Sequence, residues 1–266
     1  MGKTKYTFNE KCFDILDEKS LYWLGLLYAD GCIHKNKYSN SYTTILALQT
    51  GDDLIIEKFK RFLGTNAQIY HQENLATGLT GLRIHNQTIN RKLLQLGMIP
   101  RKSLVIKFPD FLLNHPLKSH FIRGYFDGDG CICEKKRKVK NWLHFTMTGT
   151  LDMMEKMSCI FQQELGIVPR KIIRQGKVYS LHVGRIEYVQ KLKEYLYRNA
   201  AVFLERKKYI FDNHSGLKHG LTSKYHGVCF RKKTSRWRAI FYLPSGQRTE
   251  KGFLTEREAI SYLHAL

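Results

Sequence analysis

Two acidic residues stand out by their setting. Asp30 closes the run Trp23-Leu24-Gly25-Leu26-Leu27-Tyr28-Ala29-Asp30-Gly31, and Asp129 closes Ile122-Arg123-Gly124-Tyr125-Phe126-Asp127-Gly128-Asp129-Gly130. Small residues recur one helical turn apart in each run, Gly25 with Ala29 and Gly124 with Gly128, which gives a helix a smooth strip on which another backbone can lie. Each Asp-Gly pair reads as a helix stop, with the glycine expected in the left-handed conformation. An acid in that place works against helix stability, because the last carbonyls already carry partial negative charge. Two such ends side by side would gather two carboxylates and several carbonyl oxygens, a donor set suited to a hard divalent cation. A lone Asp-Gly would more simply cap a loop; two matched copies argue for a shared site.

The chain repeats itself around these runs. Asp129 follows Asp30 by 99 residues, Leu181 follows Leu82 by the same interval, and so does Lys191-Leu192 after Lys92-Leu93. Thr148-Gly149 follows Thr50-Gly51 at 98, which implies a one-residue gap near the first strand. Ordered matches at one period define a duplication. Asp17 or Ser20 is the expected N-cap of the first motif helix, and Asn114 and Pro116 are expected to start the second. After Gly31 the pattern predicts a polar turn over His34–Lys37 and a strand over Tyr42–Gln49. A helix follows from Asp52 or Asp53, with Leu54, Ile55, Phe59 and Phe62 at helical spacing. A β pair (67–71 and 81–85) and a helix from Gln87 to Leu96, ending at Gly97, complete the first half. The second half repeats the order: a strand over 142–148, a helix over 151–165, a β pair over 171–174 and 178–183, and a helix over 187–197. The fold class is therefore α+β, each half an antiparallel sheet with helices on one face and the other face free for a ligand.

Lys and Arg number 44 against 23 Asp and Glu, a formal charge of +21, which points to a polyanionic partner. No apolar run approaches the roughly 18 residues of a membrane helix. The N-terminal stretch has neither a hydrophobic signal core nor the Ser or Thr of a myristoylation signal, so a secreted or membrane-bound protein is not expected. Cys12, Cys32, Cys131, Cys133, Cys159 and Cys229 form no paired ligand spacing and read as reduced thiols of a cytoplasmic or organellar chain.

The two motif runs resemble the LAGLIDADG motif of homing endonucleases, with Asp30 and Asp129 at the family's metal-binding acid. The first run departs at Tyr28, where the family usually has an Asp. The resemblance implies two pseudo-twofold-related repeats whose sheets form a DNA-binding saddle. It also implies a Mg²⁺-dependent double-strand break, with Mn²⁺ able to substitute, leaving short 3′ overhangs. Asp30 and Asp129, with Ala29 and Gly128, are the expected metal-site residues, and Lys102 and Lys207 resemble the family's lysines near the scissile phosphates. Asp127 reads as a local hydrogen-bonding residue. Cutting a duplex needs one hydrolytic apparatus per strand, and a duplicated fold with one acid per copy supplies it. The partner would be double-stranded DNA, bound by a monomer with no obligate protein partner. A maturase or regulator that no longer cuts is the rival on the same scaffold; an RNA-binding or structural protein leaves the paired Asp-Gly helices unexplained. No splicing-domain residues are read on either flank, so a self-splicing element is not expected within these boundaries.

Strand alternation assigns the DNA contacts. With Leu46, Leu48, Phe145 and Met147 facing the helices, Thr43, Gln49, Trp142, His144 and Thr146 face the ligand. Lys35, Lys37 and Arg83 belong with them. The run Lys135, Lys136, Arg137, Lys138 and Lys140 would contact phosphates, which position a protein without reading sequence. Residues 1–112 and 113–212 form the two repeats, 213–221 a linker, and 222–266 a separate module of three strands and a helix opened by a Thr255–Glu258 capping box. Its Tyr225-x-Gly227-Val228, Trp237-x-Ala239 and Thr255-x-x-x-Ala259 resemble the ethylene-response-factor type of DNA-binding domain. His226 stands where that family often has Arg. His226, Arg231, Lys233, Arg236, Arg238 and Arg248 are its candidate DNA contacts.

Overall fold

The first motif run forms α1 (Glu18–Ala29), and Asp17 is its N-cap, accepting a hydrogen bond from Ser20 N at 2.8 Å. Every residue from Ser20 to Ala29 is buried, as an apolar run without a polar face requires. The second run forms α4 (Lys118–Asp129), which starts later than Asn114 or Pro116 would have it. His115 takes over the helix entrance: its carbonyl accepts from Lys118 N at 3.2 Å and its Nδ1 from Leu117 N at 3.2 Å. The structure, a computed structural model, describes residues 6–73, 78–135, 142–169, 171–213, 228–231, 236–243 and 247–265. They divide into two compact units, 1–211 and 212–266.

Helices α1 and α4 pack backbone against backbone along the small-residue strips. A Cβ added at Gly25 would sit 2.0 Å from the Phe121 carbonyl oxygen, and one at Gly124 would sit 2.0 Å from that of Tyr22. Buried polar contacts fix the crossing. Arg123, fully buried, pairs with Glu18 at 2.5 Å and donates to Val202 O at 3.0 Å and Leu196 O at 2.9 Å. Asp127 is not local in its bonding: it accepts from Tyr22 Oη at 2.9 Å, Tyr197 Oη at 3.0 Å and Leu204 N at 2.7 Å. At the matching place in the first repeat the Tyr28 hydroxyl donates to Leu96 O at 2.7 Å. The departure at Tyr28 thus reverses the polarity of one buried bond.

The chain leaves each motif helix directly as a strand. β1 (Gly31–Lys35) and β5 (Gly130–Lys135) begin at the glycines, so the polar turn expected at His34–Lys37 starts later, and neither glycine is left-handed. Gly130 has φ −99° and ψ 162°. What demands glycine is space: a Cβ would lie 2.5 Å from Leu27 O at Gly31 and 2.4 Å from Phe126 O at Gly130.

β2 (Tyr42–Gln49), β3 (Tyr70–Gln72) and β4 (Leu79–Ile84) complete the first antiparallel sheet, ordered β1-β2-β4-β3. The second contains β6 (Trp142–Gly149), β7 (Ile173–Gln175) and β8 (Val178–Val183), ordered β5-β6-β8-β7. The register corrects the repeat alignment. Gly31 faces Leu46 while Gly130 faces Met147, so β2 and β6 correspond at an offset of 101 and not 98. The β5–β6 hairpin is therefore two residues longer, and the turn after β6 is shorter.

One face of each sheet is covered by helices. α2 (Asp53–Phe62) presents Ile55, Ile56 and Phe59, while Leu54 points outward at 67 % exposure, so Ile56 takes the core place expected of Leu54. α3 (Gln87–Gln95) adds Ile89 and Leu93. Their counterparts are α5 (Leu151–Leu165), with Met153, Met154, Met157, Ile160 and Phe161 inward, and α6 (Ile186–Tyr197), with Val189, Leu192 and Leu196. α7 (Glu205–Asn213), unforeseen in the sequence, returns to the first repeat: Arg206 bonds Asp52 at 3.0 Å and Lys58 pairs with Glu205 at 2.7 Å.

The second unit contains β9 (Val228–Arg231), β10 (Arg236–Tyr242) and β11 (Arg248–Phe253) in the antiparallel order β11-β10-β9, with α8 (Glu256–His264). Its core is Val228, Trp237, Ala239 and Ala259. The capping box is closed on both sides, Glu258 N to Thr255 Oγ1 at 3.2 Å and Thr255 N to Glu258 Oε2 at 3.0 Å.

Candidate active site

The small strips run to the C-terminal ends of α1 and α4, and there the two acids meet. A Cβ at Gly128 would lie 2.8 Å from Asp30 Oδ2 and 2.3 Å from the Ala29 Cβ, so only glycine lets the second helix end reach the first carboxylate. Asp30 and Asp129 are both exposed to solvent at the helix ends, although protein atoms crowd their carboxyl groups closely enough to shift their titration. Burial and the neighbouring Asp129 push the Asp30 carboxyl up to about 6, against the pull of Lys207 and Lys102. Burial likewise raises Asp129, opposed by Lys102, Lys207 and a hydrogen bond from Tyr125. Two carboxylates brought together, with the charge of one raising the other, form a place where a cation relieves their repulsion.

The lysines reach this cleft from outside the motif helices. Lys102 opens a 3₁₀ turn over Lys102–Leu104 and its preceding residue, Arg101, is left-handed at φ 55°. The Lys102 ammonium donates to Ala29 O, the last carbonyl of α1. Burial lowers its pKa, and the charges of Asp129 and then Asp30 hold it up. Lys207 comes from α7 and donates to Phe126 O at 2.6 Å, Asp127 O at 2.7 Å, Gly128 O at 3.2 Å and Gly130 O at 2.6 Å. Burial brings its pKa down to about 8, with Asp127 working in the opposite sense. Among the acids, Lys102 feels Asp129 most and then Asp30, whereas Lys207 feels Asp127 most and Asp30 less.

The donor chemistry fits a hard cation. Carboxylate and carbonyl oxygens are its ligands, and Asp30 and Asp129 present the former together. The Ala29 and Gly128 carbonyls, expected beside them, accept hydrogen bonds from Lys102 and Lys207. Among the described residues no group of three or more His, Cys, Asp or Glu side chains is placed to hold a metal, so the acid pair stands without a third such ligand.

The uncovered sheet faces carry the rest of the expected binding residues. Thr43 and Gln49 lie on the open side of β2, and Thr43 Oγ1 is 3.3 Å from His85 Nδ1. Arg83 is exposed and lies over the Tyr70 ring at 4.7 Å. Lys35 and Lys37 are exposed at the β1–β2 hairpin. His144 and Thr146 take the open side of β6, and the His144 ring stacks on His182 with centroids 5.2 Å apart. His182 was missed in the sequence, although its signal was present: it follows the chosen Arg83 by the 99-residue repeat. Tyr70 and His85, on the same side, were missed as well. Trp142 and Lys135 lie in β6 and β5. Lys136, Arg137, Lys138 and Lys140 fall outside the described residues, as do His226 and Lys233. In the second unit Arg231 and Arg248 lie in strands, Arg236 is exposed and Arg238 is ion-paired with Glu250.

The sheets, the helix pair and the acid pair define a class of fold, that of LAGLIDADG homing endonucleases. Solved structures carry the same fold. The meganuclease I-AabMI bound to uncleaved DNA matches with a TM-score of 0.52 at 15% identity, over 74% of this chain and 88% of that one. The homing endonuclease I-WcaI, bound to its DNA recognition sequence, matches with a TM-score of 0.53 at 15% identity, over 72% and 85%. Within this chain, residues 116–197 match the LAGLIDADG-like domain family. Among curated proteins, the reverse gyrase of Methanocaldococcus jannaschii is 24% identical over 199 residues, 73% of this chain and 11% of that protein. The RNA polymerase subunit Rpo1C of the same organism is 28% identical over 128 residues, 47% of this chain and 14% of that protein. The chain spans about a tenth of the length of these relatives.

Proposed function

We propose that the chain is a site-specific homing endonuclease that binds a long duplex DNA target and hydrolyses one phosphodiester in each strand. It uses Mg²⁺, for which Mn²⁺ can substitute, and leaves short 3′ overhangs. The observation that carries this reading is the meeting of Asp30 and Asp129 at the ends of two packed, sequence-repeated helices. A divalent cation supplies, when bound, activation of a water and a counter-charge for the departing oxygen. The protein's part is to hold that cation on Asp30 and Asp129 and to keep the positive charge of Lys102 beside them. The open faces of the two sheets lay Arg83, Gln49, His144 and Thr146 along the duplex. The DNA partner is also what the charge of +21 favours.

In this reading residues 1–112 and 113–212 are the two repeats of a monomer that needs no protein partner, 213–221 is a linker, and 222–266 is an accessory DNA-binding module of ethylene-response-factor type. The protein acts in the cytoplasm or an organelle. Among the described residues no helix is long and apolar enough to cross a membrane.

The test is cleavage of DNA from a close relative that lacks the intervening element, incubated with purified protein and Mg²⁺ and mapped at its ends. A discrete double-strand break that disappears on chelation is the expected result. Tight, site-specific binding without a cut in Mg²⁺ or Mn²⁺ would identify a maturase or regulator instead.

A second measurement tests the electrostatics apart from the chemistry. Neutralising about six phosphates gives a slope near −5 in a plot of log affinity against log salt, because each contact releases a condensed counterion. A slope near zero would remove the polyanion argument.

A further inference from the structure

A helix end leaves carbonyl groups without intrahelical partners, and a cation in the last turn commonly answers them. α4 has no basic residue in its last turn. Its cation arrives from Lys207, on an element about 80 residues further along the chain. An ammonium has three N–H donors, and that of Lys207 faces four carbonyl oxygens, those of Phe126, Asp127, Gly128 and Gly130, with the Phe126 ring 5.0 Å away. The residue is 3 % exposed. A phosphate could reach this group only by displacing these carbonyls, two of which belong to the buried residues Phe126 and Asp127. Arg206 beside it is held by Asp52, so the cap is anchored to the first repeat while its target lies in the second.

We propose that Lys207 is a positioning residue: a tethered cation that caps the end of α4, holds it to the first repeat and so sets Asp129 against Asp30. This rests on reading the acid pair as the metal site. The two lysines have therefore diverged. Lys207 is saturated by backbone oxygens. Lys102 bonds the single carbonyl of Ala29 among the described residues.

The test compares wild type with Lys207→Met and Lys207→Arg by three measurements: melting temperature, Mn²⁺ affinity of the DNA-free protein, and the salt slope of DNA binding in Ca²⁺. Lys207→Met is expected to lower the melting temperature and to weaken Mn²⁺ binding about tenfold, the usual effect of losing a group that orients a metal ligand. The salt slope stays at its wild-type value, and Lys207→Arg, which keeps N–H donors, recovers part of the Mn²⁺ affinity. A slope shallower by about 0.9, with wild-type melting and Mn²⁺ affinity, would place Lys207 on a phosphate and overturn the proposal. If Lys207→Met does not fold, Lys207→Gln, with two N–H donors, is read in the same way. If wild type itself binds no Mn²⁺, the metal reading of the acids fails. Amide exchange over residues 127–131 then judges the cap alone: unchanged protection in the variant rejects it.

Discussion

Gly124→Ala is expected to cost about 3 kcal/mol or more, near the upper end of what overpacking a core costs. For a chain of this size that is a fall in melting temperature of roughly 10 °C. The new Cβ would lie 2.0 Å from the Tyr22 carbonyl oxygen and 2.8 Å from Leu26 N. Both are backbone atoms of a buried helix, so no side-chain rotation relieves the clash and α1 must move bodily away from α4. That motion also loosens the buried contacts of Arg123 with Glu18 and of Asp127 with Tyr22. Gly176→Ala is the control. Gly176 has φ +63° and nothing within 4 Å of an added Cβ, so only the left-handed backbone penalty remains, about 1 kcal/mol. Thermal melting of the two variants decides. If Gly124→Ala melts with Gly176→Ala, the close approach of the helices is wrong.

The parts of the fold that could be read in the sequence are those whose chemistry is local. Asp17 before an apolar run, Thr255 three residues before Glu258, and the left-handed Gly97 after α3 each meet their partners within a few residues. β2 was legible end to end because Thr43, Thr44 and Ile45 open a run of residues suited to a strand between two polar stretches. β1 was not: His34 and Lys35 are polar and exposed, and only pairing with Thr43 and Tyr42 makes them a strand. The repeat offset failed between β5 and β6 for a related reason. Matching letters at Thr50 and Thr148 marks the next helix, whereas register is set by hydrogen bonds that letters do not show. At the site the acids were visible, because an Asp at a helix end is locally unfavourable and calls for an explanation. The roles of Arg123, Asp127 and Lys207 were not, since their partners lie about 70 to 105 residues away.

Asp30→Asn and Asp129→Asn are each expected to abolish double-strand cleavage, leaving at most a nick, and at the same time to make the metal-free protein more stable. The first effect follows, on the proposed reading, from removing one of the two charges that would hold the cation, where the described residues offer no third acid to replace it. The second follows from the electrostatics. The folded protein holds the Asp30 carboxyl at about 6 against an ordinary value of 3.8, so between those values the folded state binds more protons than the unfolded chain. Stability of the metal-free wild type therefore falls as pH rises from 3.8 to about 6 and stays lower above it. Asparagine cannot ionise, so the gain in Asp30→Asn is full at pH 7 and vanishes as pH falls to about 4. Because Asp30 is exposed to solvent, which screens its charge, the gain is discounted from the full shift to on the order of 1 kcal/mol. Melting in chelator at pH 4 and pH 7, beside end-mapping of cleaved DNA, tests both halves. Lost cleavage with a stability gain at pH 7 alone marks carboxylates held partly desolvated, and near one another, for the sake of a cation. Lost cleavage with lower stability at both pH values would mean that the acids hold the helix ends together, and that the site is built on something else.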